Sequence, residues 1–274
     1  MVISRHPGND VARASLEDVL ARRLAHAGRR VLVTPHIYHL PHGAELWSTL
    51  SELSPVLAVA GWLHPRPLEC LVREYAGREP AVAIDLSSAG SAEAAAQAIE
   101  DALGPSEGAG EVRELHAEVS DRWYPVIDRS RCNSCRHCLQ FCLFGVYETQ
   151  AHRVVAVRPD NCKDGCPACA RVCPQGAIIF PLCDEPAIAG APGTVMRPDA
   201  AARRMYYVRT GRPCPVCGEV AEAGGAPRSE AEAAMCEECG GAVRSVAAEP
   251  SAVHEEIDSL IDALDDLARG GEAE

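Results

Sequence analysis

The chain has 274 residues, which is enough for two or three domains of ordinary size. Its 39 acidic and 26 basic residues give a formal net charge of −13, which argues against nucleic acid or an anionic membrane surface as a partner. The sequence shows no signal peptide and no apolar stretch long enough to cross a bilayer. We therefore expect a cytoplasmic protein without membrane insertion.

Residues 1–104 predict an α/β domain with a small parallel sheet. Short apolar runs alternate there with stretches of helical character, after a first amphipathic helix. The predicted strands lie at 31–33, 55–60 and 81–84, and the predicted helices lie at 14–27, 43–53, 66–76 and 91–103. Strands and helices that alternate at this length favour a parallel sheet covered by helices on both faces.

Three histidines follow the first two predicted strands: His36 and His39 follow one, and His64 follows the next. Ligands of parallel α/β domains bind at the carboxyl ends of the strands. The sequence therefore predicts a ligand site at these histidines. The alternative interpretation is that they are ordinary loop residues beside prolines. A nucleotide site has no support, because the chain lacks a glycine-rich phosphate loop.

Glycine and proline indicate a linker at residues 105–120, and a second domain is predicted at 121–200, where it ends in an extended tail. Its main feature is a pair of cysteine runs. They read Cys132-x2-Cys135-x2-Cys138-x3-Cys142 and Cys162-x3-Cys166-x2-Cys169-x3-Cys173-Pro174. Three thiolates at this spacing suit the corners of an iron–sulfur cube, and the fourth is predicted to begin a helix and point to a second cube. Each half is predicted as strand, cluster loop, short helix and strand.

This segment resembles the bacterial ferredoxins that carry two [4Fe-4S] clusters, which implies an α+β ferredoxin-like domain. In that family, the fourth cysteine of each run binds the other cluster. The resemblance therefore implies one cluster held by Cys132, Cys135, Cys138 and Cys173, and another held by Cys162, Cys166, Cys169 and Cys142.

The sequence departs from the family pattern at two places. Leu143 stands where the family usually has a proline, and the second run has one extra residue between Cys162 and Cys166. Gly165 is the residue that would absorb this insertion in the loop. If Cys162 does not bind iron, the second site would hold a three-iron or labile cluster. A pair of zinc sites is the other interpretation of the two runs.

A second metal module is predicted at residues 207–247. Its two knuckles, Cys214-x2-Cys217-Gly218 and Cys236-x2-Cys239-Gly240, resemble a zinc ribbon, which implies one structural Zn²⁺ bound by all four cysteines. Iron at the same thiolates is the alternative. A final helix is predicted at residues 251–268.

Twelve of the 14 cysteines thus lie in metal-ligand spacings, which indicates a reducing compartment. The remaining two are predicted as a core residue, Cys70, and a free thiol, Cys183.

The sequence predicts an iron–sulfur electron carrier that exchanges electrons with a donor and an acceptor protein, rather than a stand-alone enzyme. Two alternatives remain. In one, the α/β domain binds a substrate or metallo-cofactor that receives electrons from the clusters. In the other, labile clusters sense oxygen or iron. The oligomeric state is open.

Overall fold

The computed structural model describes residues 1–52, 57–195, 200–211, 213–214, 217–220 and 236. The chain forms two compact units, Met1–Pro198 and Asp199–Glu274. The helix predicted at residues 251–268 and most of the module predicted at 207–247 lie outside the described residues. No helix in the described part of the chain is long and apolar enough to cross a membrane.

The first unit contains most of the regular structure. The strands are β1 (Val2–Ser4), β2 (Arg30–Thr34), β3 (Ala58–Gly61), β4 (Val82–Asp85), β5 (Glu111–Glu114), β6 (Val126–Ile127), β7 (Tyr147–Gln150), β8 (Arg153–Ala156) and β9 (Ile178–Ile179). Its helices are α1 (Val11–His26), α2 (Glu45–Glu52), α3 (Pro65–Ala76), α4 (Leu86–Ala89), α5 (Ala92–Leu103), α6 (His137–Phe141), α7 (Ala168–Val172) and α8 (Pro186–Ala189). The second unit contains α9 (Ala200–Thr210).

Strands β1 to β5 form one sheet in the order β4-β3-β1-β2-β5, with every neighbouring pair parallel. This confirms the predicted α/β domain with a parallel sheet. Side chains alternate between the two faces, so that Val2 packs with α2 and α3 while Ile3 packs with α1 and α5. Both faces are covered, because connections between parallel strands place helices on the two sides of the sheet.

Two of the five strands were not predicted from the sequence. The central strand β1 is only three residues long, which is too short for a periodic pattern. The edge strand β5 lies inside the predicted linker 105–120, so part of that linker is corrected to a strand. All four residues of β5 are exposed, and their pairing with β2 from Arg30 to Val33 holds them in place. Main-chain hydrogen bonds to β2 and the ion pairs Arg113–Glu45 and Glu114–Arg5 hold this strand, and they leave no hydrophobic signal in the sequence.

The segment from β6 to β9 has two halves with the same order of elements: a strand, a loop, a short helix and a second strand. The outer strands β6 and β9 pair antiparallel, and the inner strands β7 and β8 form a hairpin. The helices α6 and α7 contact each other between the two strand pairs. The two cysteine runs therefore lie in two similar halves that face each other.

This segment packs against α3 and shares a hydrophobic core with the parallel sheet. Val126 of β6 and Ile179 of β9 belong to the same buried cluster as Leu68 and Leu71 of α3. At the edge of this contact, Arg66 Nε donates a hydrogen bond of 2.7 Å to Asp128 Oδ2 and Arg66 Nη2 donates one of 2.6 Å to the Gly176 carbonyl. The sheet and the cysteine runs are therefore held together as one compact unit.

Candidate iron–sulfur and metal centres

The first group of sulfurs surrounds a small cavity beside α6. Its lining includes Cys132, Cys135 and Cys138 of the first run, together with Cys173 of the second run. The loop from 132 to 136 brings the first three residues together, and two of its non-glycine residues, Ser134 and Arg136, have φ values of 58° and 66°. Such left-handed positions make a tight loop around a central group. Cys173 reaches the same cavity because α6 and α7 lie against each other.

The second group of sulfurs contains the remaining four cysteines of the two runs. Burial, followed by the charges of Cys166 and Cys142, raises the pKa of Cys162 to about 12. Burial also raises the pKa of Cys169, against a hydrogen bond from Tyr147, and the charges of Cys162, Cys138 and Cys142 contribute to the same rise. Cys142 is therefore near enough to Cys162 and Cys169 for its charge to affect their pKa values, as Cys138 also is for Cys169.

The fourth cysteine of each run follows its helix, whereas the sequence predicted that it begins one. Cys142 is the C-terminal cap of α6 and Cys173 is the C-terminal cap of α7. The helix α6 begins at His137, one residue before Cys138, and α7 begins at Ala168, one residue before Cys169. The third cysteine of each run therefore lies in the first turn of its helix. The last cysteine thus leaves the helix in an extended conformation, which lets its side chain reach the other half.

The extra residue of the second run is accommodated in the loop before α7. Gly165 has a φ of +68°, a conformation that L side chains rarely adopt, and it lies directly before Cys166. Because glycine takes this conformation without steric cost, the loop can contain three residues between Cys162 and Cys166.

Several of the eight sulfurs have hydrogen-bonding partners, including Cys138, which accepts from the Leu139 backbone N–H. The backbone N–H of Ala177 lies 3.3 Å from Cys173 Sγ, and the Tyr147 hydroxyl donates to Cys169 Sγ at 3.1 Å. His137 Nδ1 lies 3.1 Å from Cys135 Sγ. Sequence reasoning missed His137 and Tyr147. His137 had a signal, since it stands between two predicted ligands, but no local pattern distinguishes Tyr147 from a core residue.

The thiols differ in how easily they lose a proton. Burial and then the charge of Cys173 raise the pKa of Cys138 to about 12. Burial acts in the same direction on Cys135, but the hydrogen bonds from the His137 side chain and backbone outweigh it and lower the pKa of Cys135. Metal ligation needs thiolates, so metal binding at this site releases protons that burial otherwise retains.

The second unit contains a third group of sulfurs. Sγ atoms of Cys214, Cys217 and Cys236 all lie within 4.8 Å of one another, and the Cys214 and Cys236 sulfurs are 3.9 Å apart. A tetrahedral zinc with Zn–S bonds of about 2.3 Å places its sulfurs about 3.8 Å apart. The geometry of these three residues therefore fits a single metal ion. The predicted fourth ligand, Cys239, lies outside the described residues.

Only two of the three predicted histidines come together. His36 and His39 have ring centroids 4.7 Å apart, and both line an open cleft at the carboxyl ends of β1, β2 and β5. His64 does not line this cleft; its Nδ1 lies 3.4 Å from Asp85 Oδ2 at the end of β4. Burial lowers the pKa of His36 to about 3 and also lowers the pKa of His39.

The two cysteines outside the motifs differ in their surroundings. Cys70 is 3% exposed in the core of α3, and burial raises its pKa to about 12, so it is a core residue as predicted. Cys183 is half-buried and packs at the border of the cluster around α7.

No protein-family model matches the chain. One relative, an uncharacterized ferredoxin of Methanocaldococcus jannaschii, is 45% identical over 60 residues, which are 22% of this chain and 41% of the relative. A second uncharacterized ferredoxin of the same organism is 41% identical over 55 residues, which are 19% of this chain and 87% of the relative. The chain thus spans less than half of the first relative and most of the second. Because one of its segments matches most of a ferredoxin at this identity, the chain belongs to the ferredoxin family through that domain.

Proposed function

We propose that this protein is an iron–sulfur electron carrier with two [4Fe-4S] clusters. Cys132, Cys135, Cys138 and Cys173 bind the first cluster in this proposal, and Cys162, Cys166, Cys169 and Cys142 bind the second. One observation supports it: Cys173 of the second run lines the same cavity as Cys132, Cys135 and Cys138 of the first run. Two clusters that each take one ligand from the other run lie close together, as electron transfer between them requires.

The spacing of the cysteines along the chain supports cubes over a pair of zinc sites. Four closely spaced thiolates in each run suit cubes, whereas zinc takes a closed tetrahedron from two pairs of ligands. The chain contributes three things to electron transfer: thiolate ligands, N–H and O–H donors to the sulfurs, and a hydrophobic surround. Ile127, Ile178 and Phe180 are buried around the runs and exclude water from them. When bound, the clusters supply one-electron oxidation and reduction.

We extend the proposal to a structural zinc in the second unit, held by Cys214, Cys217, Cys236 and Cys239. The sulfur spacing of the first three residues supports it. The electron donor and acceptor are proposed to be proteins that present basic surfaces, because the chain carries a net charge of −13.

Metal analysis of the full chain, purified without oxygen, tests this function. We expect about eight irons, eight acid-labile sulfides and one zinc per chain, with EPR signals of interacting clusters after reduction by dithionite. Zinc without sulfide would overturn the electron-carrier proposal. A three-iron signal in the isolated protein would instead contradict the assignment of Cys162.

A second candidate function is a redox enzyme or subunit in which the α/β domain binds the molecule to be reduced. A cleft of about 580 Å³ favours it, because residues of the α/β domain, His39 and His42, line it together with Cys162. A small molecule released by acid from the anaerobically purified chain, and identified by mass spectrometry, would favour this function over a carrier.

Replacing Tyr147 with phenylalanine is expected to make the reduction potential of the second cluster more negative. The Tyr147 hydroxyl donates to Cys169 Sγ, and such a bond stabilises the more negative, reduced state. An EPR-monitored redox titration measures the change. Tyr75→Phe is the matched control, because that hydroxyl lies 3.0 Å from His42 Nε2 and contacts no cysteine sulfur. Equal potentials in the two variants would contradict the prediction.

A further inference from the structure

The open cleft at the carboxyl ends of β1, β2 and β5 has a volume of about 390 Å³. Its lining includes His36 and His39, which follow β2, and Asp121, which follows β5. Polar side chains at this edge of a parallel sheet are where such folds bind ligands. The cleft is separate from the eight cysteines described above, none of which lines it.

His36 is the most unusual residue of this cleft. Its side chain is 2% exposed, yet neither ring nitrogen has a hydrogen-bond partner within the part of the chain that the structure describes. A buried polar group without a partner costs free energy, so such groups are rare unless a ligand satisfies them. The ring is uncharged in this environment, so an imidazole lone pair is available to a metal ion.

The ring of His39 lies next to that of His36 and also contains a buried nitrogen without a partner among the described residues. Its Nδ1 faces Asp121 Oδ1 at 3.6 Å, while its Nε2 is buried and has no hydrogen-bond partner among the described residues. Histidines that bind metals commonly turn one nitrogen to a carboxylate and the other to the metal. Asp121 is fully exposed, and at this distance it acts on the His39 ring through its charge and not through a hydrogen bond.

We propose that His36 and His39 together bind a divalent transition-metal ion in this cleft. The two ring centroids are 4.7 Å apart, a separation at which a nitrogen of each ring can reach one ion at about 2.1 Å. Imidazole donors select ions such as Co²⁺, Ni²⁺ and Zn²⁺ over Mg²⁺ and Ca²⁺. With two protein nitrogens as ligands, the remaining coordination positions are open to water or to a small ligand in the cleft.

Two other histidines of this domain, His6 and His64, have contacts that exclude them as ligands. His6 Nε2 contacts Arg13 Nη1, and its Nδ1 accepts a hydrogen bond from the Gly8 backbone N–H. His64 is paired with Asp85. His116 also lines the cleft, and His36 and His39 are taken as the ligands because each has a buried ring nitrogen without a hydrogen-bond partner among the described residues. His64 serves as a control.

The metal site lies next to the loop of the second cysteine group. His39 and Asp121 also line the neighbouring cleft that contains Cys162. If that loop holds a cluster as proposed, a paramagnetic ion at His36 and His39 will speed the magnetic relaxation of the reduced cluster. Only this second measurement rests on the proposed function, since the binding of metal to the histidines does not require iron.

Cobalt binding to the full chain tests the proposal. The anaerobically purified protein is dialysed against Co²⁺, and cobalt, zinc and iron per chain are measured by mass spectrometry. We expect one bound cobalt in addition to the native metals. His36→Gln and His39→Gln are each expected to weaken cobalt binding by more than about tenfold. His64→Gln is expected to leave it unchanged, and so is His152→Gln, because His152 is exposed in the turn between β7 and β8.

Unchanged iron and zinc contents and circular dichroism show that the glutamine variants are folded, so that a loss of cobalt reports on the site itself. Cobalt K-edge absorption spectra should contain imidazole scattering that these variants lose. The proposal is overturned if the wild-type chain retains no additional cobalt, or if both variants bind it as tightly as the wild type. If the wild-type chain bound the additional cobalt but contained no iron, the cluster proposal alone would be contradicted.

Discussion

Replacing Cys173 with alanine is expected to remove the same cluster as replacing Cys135, although Cys173 belongs to the second run. Each single variant should lower the iron content from about eight to about four per chain, because a cube that loses a thiolate ligand is no longer stably held. The Cys135→Ala/Cys173→Ala double variant should keep about four irons, since both changes affect one cluster. The Cys166→Ala/Cys173→Ala double variant should keep almost none.

Cys183→Ala is the matched control, because this half-buried cysteine borders the same hydrophobic cluster but belongs to neither ligand group. It should retain all of the iron and sulfide. The crossed assignment would be wrong if Cys135→Ala/Cys173→Ala lost both clusters while Cys166→Ala/Cys173→Ala lost one. That result would mean that each run binds its own cluster with all four of its cysteines.

Replacing Arg66 with methionine is expected to lower the free energy of unfolding of the first unit by about 3 kcal/mol. The change leaves Asp128, whose side chain is 5% exposed, without its 2.7 Å partner. Breaking a buried ion pair usually costs about 3–5 kcal/mol of stability. We expect the lower value because Arg131 Nε remains 3.6 Å from Asp128 Oδ2. The urea midpoint of the far-UV circular dichroism, recorded without oxygen, measures the loss.

Two further variants distinguish the cost of leaving the buried Asp128 carboxylate unpaired from the cost of removing any arginine side chain. Arg73→Met removes an ion pair with Glu79, which is 65% exposed, and should cost at most about 1 kcal/mol. Adding Asp128→Asn to Arg66→Met should recover part of the stability, because it removes the uncompensated charge. The explanation fails if Arg66→Met and Arg73→Met shift the midpoint equally.

The candidate sites differ in how far they were predictable. The cysteine ligands are recognisable because each run places three sulfurs within seven or eight residues, and a loop of that length cannot separate them widely. The groups that donate hydrogen bonds to the sulfurs were harder to predict from the sequence. Tyr147 reaches Cys169 only because α6, α7 and β7 meet in three dimensions. The histidine site was partly predictable, since strand ends indicate the correct edge of the sheet but not which side chains share a cleft.

By itself, the sequence determined the parallel α/β domain and the presence of a ferredoxin domain, because alternating apolar runs and cysteine spacing are local patterns. Only the tertiary structure decided that the sheet has β1 at its centre and β5 at its edge. It also decided that the ferredoxin domain packs on α3, and that His36 and His39 share a cleft without His64. These features depend on contacts between residues far apart in the chain, which main-chain pairing and packing select and local patterns do not encode.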